Sequence, residues 1–319
     1  MNLLHLDDRA GVRPVRYESL DAAPDTNAAW ILGAREARNM WCPGDLEPFD
    51  TVLVSMMKNQ DMHESSWMSA VPNLKSLGKR VWVFQEGEAS WLHYRPDDEQ
   101  RTFRKNLRHA DLMLCHQVAD EDAAEFYRDW LGIPTVSVPT QLHLGKITAR
   151  KTGERSRRLA ILATPDERVR GVWALTAAHA ACSPEIVFDL LSHDGAGGST
   201  RPEIPEGREC VRHPYLGWNE YATVLAGTCG FVSAINRPAA GRDAILCAHL
   251  GIPYLGSWSH GMAALHPMRL TDGYVNMKRA IASLMHDPPP VGSGVYYRLD
   301  PVESPKRYAA CLAAVGVTL

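Results

Sequence analysis

Long apolar runs are missing from this sequence. No stretch approaches the roughly 20 apolar residues that a membrane span needs, so no membrane partner is expected. The first residues, Met-Asn-Leu-Leu-His-Leu-Asp-Asp, turn acidic at once and lack the basic start and apolar run of a secretory signal. Cysteine is sparse: there are 7, an odd number, at positions 42, 115, 182, 210, 229, 247 and 311, with no C-x-x-C pair. In a chain of 319 residues this excludes a disulfide framework and fits free thiols in a reducing cytoplasm, the expected compartment. An excess of one charge is also missing. With 34 Lys+Arg against 37 Asp+Glu, the net charge is −3, which excludes binding to a polyanion through bulk charge and leaves only local patches to consider.

Catalytic signatures are few. There is no P-loop, no G-x-S-x-G and no G-x-G-x-x-G, and the 13 histidines fall into neither H-E-x-x-H nor a Cys/His metal spacing. No metal and no bound cofactor are therefore expected. Gly195-Ala-Gly-Gly198 follows a strand but lacks helical periodicity after it, and reads as a loop. Asp120-Glu-Asp122 has the D-x-D form, yet it opens an amphipathic helix, where acids favour the positive end of the helix dipole. There is no internal repeat and no low-complexity tract.

What the sequence does have is an ordinary globular balance, 45% hydrophobic and 22% charged, over a length that favours two domains. Short apolar runs alternate with helical stretches. In the first half, strands are expected at 3–6, 29–32, 51–55, 80–84, 111–115 and 135–138, all near-continuous apolar runs of the kind buried on both faces of a parallel sheet. Residues 120–131 place Phe126, Tyr127, Trp130 and Leu131 on one helical face before Gly132 and Pro134 stop the helix. A polar, basic, aperiodic run at 146–158 reads as an interdomain linker. Beyond it, strands are expected at 158–163, 185–191, 209–211, 230–234 and 252–255. Helices follow Thr164-Pro-Asp-Glu167, a capping box with Pro at the first helical position, and occupy 218–226 and 239–250. The predicted organisation is an α/β fold with two Rossmann-like, doubly wound parallel-sheet domains, 1–145 and 159–290, facing an interdomain cleft. A tail at 291–319, helical near 308–315, either packs on the second domain or crosses back to the first.

Two stretches carry a family resemblance. Val81-Trp-Val-Phe-Gln-Glu-Gly-Glu88, with Ala110-Asp-Leu-Met-Leu-Cys-His116 and Leu131-Gly-Ile-Pro-Thr135, resembles the acceptor domain of GT-B glycosyltransferases, including those of phage genomes. Gly241-Arg-Asp-Ala-Ile-Leu-Cys-Ala-His-Leu-Gly-Ile-Pro-Tyr-Leu-Gly256 is similar to the donor-domain segment in which a helix N-terminus meets a nucleotide diphosphate. The resemblance implies a transferase whose substrate is a nucleotide sugar. The commonest retaining members carry two glutamates eight residues apart in this segment. Here Asp243 is the only acid between 233 and 250, and Ile235 stands eight residues before it. Retention and inversion both stay open.

Glycosyl transfer needs cationic groups or helix N-termini to hold the departing diphosphate, and, in inverting enzymes, a base for the acceptor proton. On the donor side, Arg237, Arg242 and Asp243 surround the start of the 239–250 helix, and arginine suits bidentate phosphate contact. The resemblance adds Arg168 or Arg170, and places Tyr215 of His213-Pro-Tyr215 where related proteins contact the nucleobase. Glu88 and Glu86, in a Gly-containing loop past an apolar strand, are the candidate bases. Asp61 and His63, with Glu64, form a second polar cluster on the acceptor side. Arg104 and Lys105, with Arg101 and Arg108, make a basic set at helical spacing. Together with the linker run (Lys146, Arg150, Lys151, Arg155, Arg157, Arg158) they would suit a DNA backbone, and so an acceptor such as a 5-hydroxymethylpyrimidine in phage-like DNA. The alternatives are a glycan, protein or small-molecule acceptor, a GT-B-fold epimerase, or a two-domain binding protein without catalysis.

Overall fold

The computed structural model describes residues 1–7, 15–16, 24–38, 42–56, 66–85, 92, 95–116, 122–151, 156–162, 171–191, 205–214, 216–233, 241–257, 265–266, 269–270, 273–293 and 297–318. The chain divides into two compact units. One comprises Met1–Leu142 with Leu299–Leu319, the other His143–Arg298.

The first unit holds strands β1 (Leu3–Leu6), β2 (Val15–Arg16), β3 (Glu36–Arg38), β4 (Thr51–Met56), β5 (Arg80–Gln85), β6 (Leu112–His116) and β7 (Thr135–Val138), and helices α1 (Pro24–Ile31), α2 (Ser66–Ser76), α3 (Asp97–Leu107) and α4 (Asp122–Leu131). The strands lie in the order β2-β3-β1-β4-β5-β6-β7, parallel throughout except for β2 against β3. Alternation along each strand sends side chains to two apolar layers. Leu4, Leu6, Val52, Val54, Val81, Val83, Met113 and Cys115 pack beneath α2, α3 and α4, against Val71, Leu74, Phe103, Leu107, Tyr127 and Leu131. Leu3, Leu53, Trp82, Phe84, Leu112 and Leu114 face the other way, toward Ala28 and Ala29 of α1. The apolar run at 29–32, expected as a strand, is the end of α1 and the turn after it. Ala28, Ala29, Ile31 and Leu32 are all buried, and such a run does not by itself distinguish a buried helix from a buried strand.

The second unit holds β8 (Arg158–Leu162), α5 (Gly171–Ala181), β9 (Val187–Leu191), β10 (Cys210–Arg212), α6 (Trp218–Ala226), β11 (Gly230–Ser233), α7 (Arg242–Leu250), β12 (Tyr254–Ser257), β13 (Arg269–Leu270) and α8 (Tyr274–His286). All its strand pairs are parallel, in the order β10-β9-β8-β11-β12-β13. Numbered within the unit this is 3-2-1-4-5-6, the doubly wound dinucleotide-fold order. Leu159, Ile161, Phe188, Leu190, Val232 and Leu255 pack on Ala174, Leu175 and Ala178 of α5 and on Met277, Ile281 and Leu284 of α8. Phe231 and Tyr254 contact each other edge-on, and Phe231 meets Tyr221 of α6.

The last helix, α9 (Glu303–Ala313), belongs to the first unit. Its Tyr308 and Leu312 complete the layer over Trp82 and Phe84. The Tyr308 hydroxyl donates to the Pro139 carbonyl at 3.0 Å, and the Ser304 hydroxyl donates to the Gln141 side chain at 2.7 Å. Among the described residues no helix is long and apolar enough to cross a membrane.

Candidate functional site

In a doubly wound sheet, ligands bind beyond the carboxyl ends of the strands where the strand order reverses. In the second unit that point lies between β8 and β11, which pair directly with Ser233 level with Leu162. Arg168 and Arg170 fall in the segment leaving β8, and Arg237 in the segment leaving β11. These three, like Tyr215, lie outside the described residues.

What the structure does describe is the helix start that follows β11. Gly241 precedes α7 with φ 73°, a left-handed conformation that side chains resist and glycine accepts. The first intrahelical bond runs from the Ile245 N–H to the Gly241 carbonyl at 2.9 Å. The amides of Arg242, Asp243 and Ala244 thus precede the first helical bond, the usual basis of anion binding at a helix N-terminus. Arg242 is exposed there.

Asp243 is placed differently. It is buried, and its carboxylate accepts a hydrogen bond from the Tyr221 hydroxyl at 3.2 Å. Burial first, and the neighbouring Asp243 charge second, push the Tyr221 and Tyr254 hydroxyls well above the ordinary tyrosine range. Both stay neutral and able to donate. His266 braces the same turn from behind. Its Nε2 donates to the Ala244 carbonyl at 2.8 Å, and its Nδ1 accepts the Tyr254 N–H at 3.3 Å. This pattern fixes one neutral tautomer, and burial lowers the ring's pKa accordingly.

A second buried anchor was not anticipated. Asp189, in the middle of β9, is fully buried and accepts from Arg158 Nε at 2.7 Å and from His213 Nε2 at 2.7 Å. It ties the segment after β10, which leads to Tyr215, into the sheet. Its only sequence signal is an acid inside the apolar run Val-Phe-Asp-Leu-Leu.

The first unit gathers polar groups at the corresponding strand ends. His5, Asp7, Ser55, Gln85, His116 and Thr140 are all nearly inaccessible, although buried polar groups are costly unless bonded. His5 Nε2 and the Ser55 hydroxyl lie 2.6 Å apart, and His116 Nδ1 and the Thr140 hydroxyl 3.3 Å apart. Glu86 and Glu88 directly follow Gln85, and Asp61 and His63 follow β4. All four lie outside the described residues. Arg104 and Lys105 are exposed in the last turn of α3. A helix joining two parallel strands runs back toward their starts, so these two sit toward the opposite end of the sheet from the polar row.

The basic run at 146–158 is largely used locally. Arg158 and Arg157 pair with Asp189 and Glu185, the latter at 3.0 Å. Lys151 caps α7 by donating to the Gly251 carbonyl at 2.7 Å, and Arg150 donates to the carbonyls of Ile147 and Ala149. Among the described residues no group of His, Cys, Asp and Glu could hold a metal ion. The seven cysteines are free thiols, and burial pushes Cys115 up to about 12 and Cys182 up to about 11.

No family model and no curated protein matches the sequence. Solved structures do match. Anabaena Alr3699/HepE, solved with UDP and glucose, aligns over 98% of this chain and 100% of its own with a TM-score of 0.64 at 11% identity. Sucrose-phosphate synthase from Thermosynechococcus elongatus aligns over 91% and 75% with a TM-score of 0.55 at 12% identity. The pneumococcal O-GlcNAc transferase GtfA, solved with UDP and GlcNAc, aligns over 83% of this chain with a TM-score of 0.53 at 13% identity, and this chain spans only 56% of it. The fold is GT-B. The GT-B fold comprises the two Rossmann-like parallel sheets described above, with the nucleotide-fold order in the second.

Proposed function

We propose that the chain is a glycosyltransferase that uses a UDP-sugar donor. The observation that carries this is the α7 start. A left-handed glycine leads into an exposed arginine and a turn of leading amides, next to the point where a 3-2-1-4-5-6 sheet reverses order. UDP is the first nucleotide to test because HepE and GtfA hold it in their structures. In this reading Arg242, Arg237 and one of Arg168 and Arg170 meet the diphosphate with the α7 amides, and Tyr215 lies against the base. Asp243 acts indirectly, by fixing the first turn of α7 to α6. Cationic side chains and a helix terminus together supply the charge a diphosphate needs, so transfer is expected without a divalent ion. On the acceptor side, Glu88 or Glu86 is the proposed base, with Asp61 and His63 near the acceptor hydroxyl.

The sharper acceptor is a 5-hydroxymethylpyrimidine in DNA. It rests on the likeness of the sequence to phage enzymes. With Arg157 and Arg158 engaged by carboxylates, less of the linker is available to a phosphate backbone than its composition suggests. The test is UDP release from a panel of UDP-sugars with a chelator present, first without an acceptor and then with hydroxymethylated DNA, glycans and small alcohols. UDP release that rises with one acceptor class supports the reading and names the acceptor. A protein that neither binds nor turns over any nucleotide sugar contradicts it.

A further inference from the structure

One face of the first unit has a surface that donor binding does not use. Helices α2, α3 and α4 cover the same side of the sheet, because all three contribute to a single apolar layer through Leu74, Phe103 and Tyr127. The strand order β4-β5-β6-β7 puts α3 between the other two. Outward from that layer, α3 presents Arg101, Arg104, Lys105 and Arg108, all exposed and without an ion pair among the described residues. Exposed apolar side chains also occur on the elements to either side of α3. Leu77, just past the end of α2, is 43% exposed, and Phe126 of α4 is 38% exposed. Phe126 is seated on Trp130 at 5.6 Å and Trp130 on Phe103 at 5.9 Å, with interplanar angles of 21° and 26°. This stack roots the exposed ring in the buried core.

We infer that this face docks on an anionic lipid bilayer surface. A row of cations with exposed apolar side chains on the neighbouring elements matches the headgroup layer, where phosphates meet the cations and an aliphatic or aromatic group reaches the acyl boundary. No membrane span is needed. A nucleic acid would also pair with the cations, but it rewards aromatic rings with free faces. Trp130 is already stacked on two neighbours, and Leu77 offers a base nothing. Asp97 and Asp98 at the start of α3, and Glu125 and Asp129 on α4, are exposed as well. These four acids offset part of the charge of the stripe, so the attachment is weak and reversible.

The test is flotation of the full chain with vesicles of equimolar phosphatidylglycerol and phosphatidylcholine, against phosphatidylcholine alone. The protein is expected to float with the anionic vesicles only, and to be released at about 1 M salt, where the screening length falls to about 3 Å. Each cation removed should weaken partitioning about fivefold, so the double variant Arg101→Gln/Arg108→Gln loses about 25-fold. Phe126→Ser with Leu77→Ser should weaken it several-fold at unchanged charge. Circular dichroism and UDP binding in the same variants report folding and the donor unit separately. Vesicle binding that is absent in a protein that still binds UDP overturns this inference alone. Binding indifferent to these substitutions overturns it too. So does retention on a DNA duplex, lost in the Arg101/Arg108 variant, without retention on anionic vesicles.

Discussion

The hydroxyl of Tyr221 in α6 donates to the buried carboxylate of Asp243 in the first turn of α7, 3.2 Å away. The bond couples two helices on one side of the second sheet and sets where the leading amides of α7 point. Tyr221→Phe keeps the shape and leaves the carboxylate short of a donor. Stability is expected to fall by about 1–3 kcal/mol, read from urea unfolding. UDP affinity should fall by less than it does in Arg242→Ala, because the phenol holds the turn and the arginine holds the ligand.

Asp189 is the centre of a different network. Asp189→Asn retains its volume but removes the charge that compensates Arg158 and orients His213. Breaking one partner of a buried pair costs about 3–5 kcal/mol, more than removing an exposed pair such as Lys306–Glu303. Thermal melts of Asp189→Asn and Lys306→Ala, compared directly, check this. Equal small shifts would show that the network is not structural.

Tyr308 connects the end of the chain to the first sheet. Tyr308→Phe gives up one hydrogen bond to Pro139, worth about 1 kcal/mol, whereas Tyr308→Ala also opens a cavity over Trp82 and Phe84 and should cost about 3–5 kcal/mol. Urea midpoints of the two variants separate the contributions. A Tyr308→Ala protein as stable as Tyr308→Phe would show that α9 is not needed on that face.

His266 predicts the pH response. Its pKa is lowered by burial, so the folded state prefers the neutral ring and the unfolded chain binds a proton more readily. The contribution is therefore fully present above the unfolded value of about 6.5, and is lost as pH falls from there toward the lower folded pKa. His143 and His249 are lowered in the same sense. Urea midpoints should drop between neutral and mildly acidic pH, and His266→Gln should reduce that slope without abolishing it.

The central strands of both sheets were legible because burial on two faces writes an almost unbroken apolar run, as in Val81–Phe84 and Leu159–Leu162. The end of α4 was legible from Gly132 and Pro134. Other elements left weaker marks. α2 carries Pro72 inside it, which masks its periodicity, and β2 and β13 are two residues each, too short for any pattern. The polar row at the strand ends of the first unit was invisible for a related reason. His5, Gln85 and His116 are single polar residues in separate apolar segments, and only parallel pairing brings those segments together. Asp243 was found from its place at a helix start, but its partner Tyr221 lies 22 residues away in another helix. Sequence spacing alone could not show that the carboxylate turns inward.

The donor claim meets its most direct test in calorimetric titration of the full chain with UDP, beside Arg242→Ala. The account predicts saturable one-to-one binding to the native protein, weakened at least about tenfold in the variant, which corresponds to about 1.4 kcal/mol and is within the range of a charge-assisted phosphate contact. Absence of UDP binding to the folded protein, or equal affinity in Arg242→Ala, would contradict it.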